Sequence, residues 1–279
     1  MWYRQSAQGY IRYEEIADKM AKELYPIIKE IKNSPEWLNL TVLDKASKKA
    51  KPNEQNYKTS LFLEANQKYE NQLNYRLNNL YNEFRYLLMQ TNLPLDFDIE
   101  LRTGLPLSYS GGFEPNLLIF YINSAKSEKE LASTIEHELV HAHQFAYRKN
   151  KPFSQEEKIR LKKNQDKTNY YDLKIEAPAH IAEIMRELPS IDSFYDNVVR
   201  NSSSNPVYQM MGEDTAKQDF LFDLLSNRET FMNYLSYSSL FRKMFYGKES
   251  MQNVDRRNKT LKSLYFAVRE KVEKLLGEL

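Results

Sequence analysis

The sequence predicts a predominantly helical α+β protein, and three observations lead to this expectation. Only 7 of the 279 residues are glycine. Few glycines mean few turns that need a positive φ, which disfavours a β-sandwich or a barrel. Over most of the chain, apolar residues recur at intervals of three and four, which is typical of amphipathic helices. Strand-like patterns are confined to the stretch between residues 97 and 122.

The first third of the chain predicts helices that flank one polar segment. A helix is expected from Tyr13 to Lys32, and Pro26 inside it predicts a kink or a break. The segment from Lys45 to Ser60 is polar and aperiodic, so we expect a solvated loop there. A long helix is expected from about Leu61 to Met89, because its apolar residues form one stripe.

Two strands are expected in the middle of the chain. Between Phe97 and Leu101, apolar residues alternate with charged ones, which predicts a half-buried strand. A turn-rich segment that contains Gly111 and Gly112 separates this strand from the next one. The run Leu117–Ile122 is continuously apolar, which predicts a strand covered on both faces.

The remainder of the chain is expected to be helical. Ser127 and Glu130 form a capping box, which predicts the start of a helix that extends to about Arg148. A further helix is expected from about Asp172 to Leu188, and the last ninety residues have helical periodicity apart from a polar break at 201–206.

Composition excludes several classes of function. The chain has 40 Lys and Arg against 38 Asp and Glu, so it lacks the basic excess that non-specific nucleic-acid binding needs. No apolar run approaches the ~18 residues of a membrane-spanning helix, and the first residues lack the apolar core of a secretory signal. We therefore expect a cytoplasmic protein without a membrane anchor. Because cysteine is absent, any metal must be held by His, Asp or Glu.

The segment His137-Glu138-Leu139-Val140-His141 carries the chemistry. Residues four apart lie on the same face of a helix, so both imidazoles can bind one cation. Glu138 is rotated by about 100° from His137, so its carboxylate lies beside the metal and can accept a proton from water. By chance, a chain of this composition would contain about 0.005 such matches, which favours a metal site over two surface histidines. The sequence therefore predicts a zinc centre with Glu138 as general base.

Two histidines leave a tetrahedral zinc one protein ligand short. A metzincin would supply a third histidine after this motif, but Gln144 and Tyr147 occupy the diagnostic positions. The chain instead resembles the gluzincins, which share the ligand set of thermolysin, and in particular the minimal gluzincins that phages and mobile elements often encode. Their pattern is H-E-L-x-H-x-x-Q, followed by Y-x-x-x-x-E-I-E-A-x-A. The positions that match it are His137, Glu138, Leu139, His141, Gln144, Ile175, Glu176, Ala177 and Ala179, and Tyr171 supplies a tyrosine two positions closer to Glu176 than the pattern has it.

The resemblance covers about residues 95–188 and implies that Glu176 is the third zinc ligand. Lys174 replaces the first glutamate of the pattern, which is not the ligand in this family. Pro178 occupies the unspecified position of the pattern, and it predicts that the helix begins near Ile175 with Pro178 in its first turn. The chain is then divided into an N-terminal helical region at 1–92, a zincin-like catalytic core at 93–190 and a C-terminal helical region at 191–279, which together form one integrated domain.

The resemblance also implies a small, mostly antiparallel sheet against which the H-E-x-x-H helix packs. Its last strand, near Leu117–Ile122, would be an edge strand that binds an extended peptide. Thermolysin-like enzymes carry an aspartate where this chain has His180, so we expect His180 to donate to the oxyanion, to replace a ligand or to be an ordinary buried histidine. Asp172 or Glu183 is either an acceptor for a ligand N–H or an ordinary solvated carboxylate, and His143 is interpreted as structural. The tyrosines that could assist catalysis are Tyr147, Tyr170, Tyr171 and Tyr208.

The predicted function is zinc-dependent hydrolysis of a peptide bond in a peptide or protein substrate, without nucleic-acid or membrane partners. One alternative is a zinc amidase that acts on a non-protein amide. Another is a zincin-like structural or interaction protein, such as a virion component, that assembles through the flanking helices.

Overall fold

The computed structural model describes residues 2–91, 97–105, 111–114, 117–147, 176–200, 213–248 and 250–278. The chain divides into two compact units, one formed by Arg4–Ser154 and the other by Gln155–Leu279 with Met1–Tyr3. Most described residues are helical and the described strands form one small sheet, which confirms the predicted α+β class. The three-region division of the sequence stays a prediction. None of the described helices is long and apolar enough to cross a membrane.

The first unit begins with four helices, and their bounds correct one expectation. The helices are α1 (Trp2–Lys32), α2 (Pro35–Lys48), α3 (Pro52–Arg76) and α4 (Asn78–Met89). The segment from Lys45 to Ser60, which we expected to be a loop, is helical except for a short connection at 49–51. Its polar composition reflects exposure, because most of these side chains face solvent while α2 and α3 pack against each other.

Two details of these helices also differ from or refine the expectations. The helix expected over Leu61–Met89 is divided at Leu77, whose backbone (φ −92°, ψ 4°) ends α3 and precedes α4. Helix α1 continues through Pro26 rather than ending there. Local periodicity did not reveal the break at Leu77, because the apolar stripe continues across it and both halves bury the same side.

The sheet contains β1 (Asp98–Arg102), β2 (Gly111–Glu114) and β3 (Leu117–Tyr121) in the order β1-β3-β2. Strand β3 is parallel to β1 and antiparallel to β2. The expectation of a mostly antiparallel sheet therefore holds for one of the two pairings only. Strand β2 was not predicted, because its glycines suggested a turn.

Strand β3 is the central strand, and not the edge strand that we expected. Residues 118–120 are buried, which confirms the prediction of a strand covered on both faces. The same feature explains the wrong edge assignment: a continuously apolar strand loses most contact with water when it has a neighbour on each side and layers above and below. The edges of the described sheet are β1 and β2.

Helix α5 (Glu128–Tyr147) packs against β2 and β3, while α3 and α4 pack against β1. The predicted cap is present, since the Ser127 hydroxyl oxygen accepts from the Glu130 backbone N–H at 3.1 Å. Helix α5 buries an apolar stripe in a core that also includes residues of α1, α4 and the sheet. Its described members are Leu131, Ile135, Leu139 and Ala142.

The second unit is helical in its described parts. Its helices are α6 (Ala177–Glu187), α7 (Ile191–Tyr195), a π-helical turn (Asp196–Arg200), α8 (Glu213–Ser226), α9 (Arg228–Leu235), α10 (Ser239–Tyr246) and α11 (Val254–Glu278). Helix α6 packs against α10 and α11. It begins with Pro178 in its first turn, as predicted. The polar break expected at 201–206 lies outside the described residues.

Candidate metal centre

Helix α5 brings two of the predicted zinc ligands together. The Nε2 atoms of His137 and His141 lie 3.0 Å apart, and the two half-buried rings are nearly perpendicular, with centroids 4.7 Å apart. Two nitrogens that bind one tetrahedral zinc at its usual bond length are about 3.3 Å apart. The two imidazoles therefore fit the binding of one shared cation, which is the arrangement that residues i and i+4 of a helix predict.

The ring of His141 is oriented by its neighbour Gln144. Its Nδ1 lies 3.1 Å from the Oε1 atom of Gln144, one turn further along the same helix. An amide oxygen can only accept, so Nδ1 carries the proton and the Nε2 of the neutral ring has a lone pair. That tautomer is the one a metal ligand needs, and such an outer hydrogen bond is usual for metal-binding histidines. The sequence pattern included Gln144 but assigned it no role.

Glu138 lies on the side of α5 that faces β2. Its side chain is buried, with 6% of its surface exposed. A Cβ atom built at Gly111 of β2 would lie only 3.0 Å from both the Cγ and the Oε1 atoms of Glu138. The side chain of Glu138 therefore rests against the backbone of an edge strand, and Glu138 directly follows His137 on the same helix. A carboxylate in this position can accept a proton from a molecule bound along the strand.

Gly111 of β2 is a candidate site residue that the sequence analysis missed. Two of the chain's seven glycines are adjacent at 111 and 112, and this pairing was interpreted as part of a turn. Glycine inside a strand often marks a close approach of another group to the backbone. That signal was present in the sequence, but the group that approaches Gly111 belongs to a helix more than twenty residues away.

His143 serves a different purpose from the other two histidines of α5. Its Nδ1 lies within hydrogen-bond distance of the Tyr13 hydroxyl oxygen at 2.7 Å, and the rings meet edge to face with centroids 5.8 Å apart. Burial lowers the pKa of His143, which favours the neutral ring. The contact joins α1 to α5, which agrees with the structural role expected for this residue.

The remaining predicted residues lie at the start of the second unit. Glu176 is half-buried and directly precedes α6, and His180 is 3% exposed one turn later. The Nδ1 atom of His180 lies 2.8 Å from Oε2 of Glu183. Glu183, a candidate acceptor for a metal-binding histidine, thus binds His180. Asp172 lies outside the described residues, as do the side chains of the candidate tyrosines Tyr147, Tyr170, Tyr171 and Tyr208.

Helix α6 is held in its unit by a carboxylate cap. Oε2 of Glu187, the last residue of α6, accepts from the Ser238 hydroxyl at 2.8 Å and from the Leu240 backbone N–H at 3.0 Å. These donors lie at the start of α10, where a negative charge also interacts favourably with the helix dipole. The cap fixes the end of the helix that begins beside Glu176.

Comparisons of the chain with protein-family models, with curated proteins and with solved structures found no match. The gluzincin resemblance therefore rests on the motif residues and stays a prediction.

Proposed function

We propose that this protein is a zinc-dependent peptidase of the gluzincin type, with His137, His141 and Glu176 as metal ligands and Glu138 as general base. The observation that carries the proposal is the pair of histidine Nε2 atoms 3.0 Å apart on α5, together with the buried side chain of Glu138, which directly follows His137. A shared cation and an adjacent base are the two requirements for hydrolysis by a metal-activated water.

In this proposal, the residues of α5 have two different roles, which are orientation of a ligand and proton transfer. When bound, zinc would supply a Lewis acid that lowers the pKa of a water molecule and polarises a carbonyl group. Gln144 holds His141 in the tautomer with an unprotonated Nε2. Glu138 would accept the proton of the attacking water and deliver it to the leaving nitrogen. Burial of Glu138 limits competing contact with bulk water.

The sheet supports a peptide as the substrate class. Strand β2 is an edge of the described sheet, and Gly111 on this strand contacts Glu138. An extended peptide can pair with the backbone N–H and C=O groups of an edge strand. A peptide bound along β2 would present its backbone to the base, so β2 takes the role that the sequence analysis gave to the strand at 117–122.

His180 and Asp172 are assigned supporting roles in the same proposal. In a neutral His180, Nδ1 donates to Glu183 and Nε2 carries no proton. This tautomer suits an auxiliary metal ligand, whereas donation to an oxyanion would require the protonated ring. Asp172 is proposed as an acceptor for the N–H of a ligand histidine.

The base is tested by Glu138→Gln, which is nearly isosteric but cannot accept the proton of water. The matched control is Glu128→Gln, the same chemical change at an exposed position of α5. At equal zinc content, turnover of a peptide library should fall about 10²–10⁴-fold for Glu138→Gln and stay at the wild-type level for the control. Equal turnover by wild type and Glu138→Gln would exclude Glu138 as the base.

The ligands are tested by metal analysis of single variants after growth with zinc. We expect about one zinc per chain in the wild type and marked loss in His137→Ala, His141→Ala and Glu176→Gln. His143→Ala serves as the control, because its ring contacts Tyr13 instead of the proposed metal site. If the ligand variants keep the zinc content of the wild type, the metal lies elsewhere. A zinc-loaded wild type without turnover would favour the non-catalytic alternative.

A further inference from the structure

We infer that Gly111 is a positioning residue for Glu138: the absence of a side chain at position 111 lets β2 touch the carboxylate and hold it in place. The inference rests on the proposed function, because the position of Glu138 matters to catalysis only if Glu138 is the general base.

The contacts of the two neighbouring glycines differ sharply. A Cβ atom at Gly111 would lie 2.7 Å from Cγ2 of Thr134 and 3.0 Å from Cγ and Oε1 of Glu138. Ordinary contacts of a Cβ atom begin at 3.4 Å, so something would have to shift. A Cβ atom at Gly112 would have no neighbour within 4 Å. Strand geometry causes this difference, because successive Cβ positions point to opposite faces of a sheet.

Thr134 cannot move away at low cost. It is β-branched and lies on a helix, where χ1 has few allowed values. Its hydroxyl donates to the Glu130 backbone carbonyl at 3.1 Å, and a change of rotamer would break this bond. The helix itself is fixed by Ile135 and Leu139, which are fully buried and directly follow Thr134 and Glu138 in the sequence.

A displacement of strand β2 away from α5 is also costly. Gly111 is paired with Phe120 of β3, whose side chain is fully buried, so a displacement of β2 would disturb the ladder. Glu138 has the longer and more flexible of the two neighbouring side chains, so it shifts most when a methyl group is added at position 111, while the 2.7 Å contact with Cγ2 of Thr134 strains the packing of β2 on α5 and lowers stability. A shift of a few tenths of an ångström in a catalytic base reduces the rate, since misplacement by 1 Å can cost about 10²-fold.

The first experiment measures a small probe rather than peptide turnover. Acetohydroxamate binds zinc through two oxygens, and its acidic proton can be taken up by a neighbouring carboxylate. Its affinity for the zinc-loaded protein is measured by calorimetry for the wild type, Glu138→Gln, Gly111→Ala and Gly112→Ala. We expect Glu138→Gln and Gly111→Ala to bind at least about fivefold more weakly than the wild type, with equal zinc content, and Gly112→Ala to bind as the wild type does.

A second variant separates the carboxylate from the strand. Thr134→Ser removes Cγ2, which makes the closest contact, and keeps the hydroxyl that bonds to Glu130. In the double variant Gly111→Ala/Thr134→Ser, thermal stability should return towards that of Thr134→Ser, while the hydroxamate affinity stays reduced because the contact with Glu138 remains. With a cleaved peptide, Gly111→Ala should lower kcat about 10-fold or more and change KM less than twofold.

The outcomes distinguish this inference from the proposed function. If Gly111→Ala binds hydroxamate like Gly112→Ala while Glu138→Gln binds it more weakly, the role of Gly111 is overturned and the proposed base stands. If Glu138→Gln binds as the wild type does, both are overturned. If the double variant recovers affinity together with stability, the effect of Gly111→Ala came from strand displacement alone, which also overturns the inference.

Discussion

The two edges of the small sheet differ in the side chains that the neighbouring helices place against the strand backbone. At the β1 edge, the side chain of Asn74 on α3 binds both backbone groups of Leu101: its Nδ2 donates to the carbonyl and its Oδ1 accepts from the N–H, each at 2.9 Å. The Tyr81 hydroxyl also donates to Oδ1 at 2.9 Å. Nearby, the Thr103 N–H donates to Oε1 of Glu70 at 2.6 Å.

At the β2 edge, the strand lies beside helix α5. Gly111 brings the backbone against the carboxylate of Glu138. The comparison shows that the two edges of one sheet can differ in whether they are available to pair with another chain. Polar side chains close β1, which prevents it from pairing with another chain. The edge at β2 stays a strand edge beside the proposed base, where we propose that an extended peptide binds.

The largest effect on stability is expected at the β1 edge, from Asn74→Leu, because Asn74 binds both backbone groups of Leu101. This change removes the partners of two backbone groups of Leu101, a fully buried residue, and leaves the Tyr81 hydroxyl without its acceptor. We expect the free energy of unfolding to fall by about 3 kcal/mol, measured by urea denaturation, with the zinc content of the folded protein unchanged. Asn71→Leu, at an exposed position of α3, is the control and should change stability by less than about 0.5 kcal/mol.

The second-largest effect on stability is expected from Glu70, whose Oε1 accepts from the Thr103 backbone N–H next to the end of β1. Glu70→Leu should lower the free energy of unfolding by about 2 kcal/mol, because the buried Thr103 N–H loses its acceptor. Glu70→Gln keeps an acceptor oxygen and should lose less than half as much. Equal losses for the two variants in urea denaturation would show that the hydrogen bond is not the source of the stability.

The third effect is expected on zinc affinity rather than on stability, and it concerns helix α5, which packs against β2. Gln144→Leu removes the acceptor that orients His141. The zinc affinity should fall about tenfold or more, measured by competition with a chelator, while the stability of the metal-free protein changes little. Gln144→Glu retains an acceptor and should keep tight binding. If Gln144→Leu lowers metal-free stability without changing zinc affinity, Gln144 is a structural residue and the contrast between the edges is weaker.

The smallest effect is expected where α1 meets α5. Tyr13→Phe keeps the ring contact with His143 but removes the hydroxyl that forms a hydrogen bond with its Nδ1. The free energy of unfolding should fall by about 1 kcal/mol, and zinc affinity should not change. A loss of zinc binding in this variant would mean that α1 controls the geometry of His137 and His141.

Features that depend on neighbours along one helix were predictable. His137 and His141 face one point because helix geometry stacks residues four apart. The cap at Ser127, the buried stripe of α5 and Pro178 in the first turn of α6 follow from equally local rules. The prediction failed where a polar segment was equated with a loop: at 45–60 the helices are polar because they are exposed, and composition does not distinguish these states.

The sequence by itself determined most of the helices and strands β1 and β3, and it placed His137, His141 and Glu138, the proposed ligands and base, on one helix, because these properties depend on side-chain period over a few residues. Tertiary structure decided which strand lies at the centre, which backbone groups Asn74 and Glu70 bind, and why Gly111 is a glycine. Each of these depends on groups brought together from positions about 20 or more residues apart. Their contact distances arise only when helices pack on the sheet, so no local pattern records them.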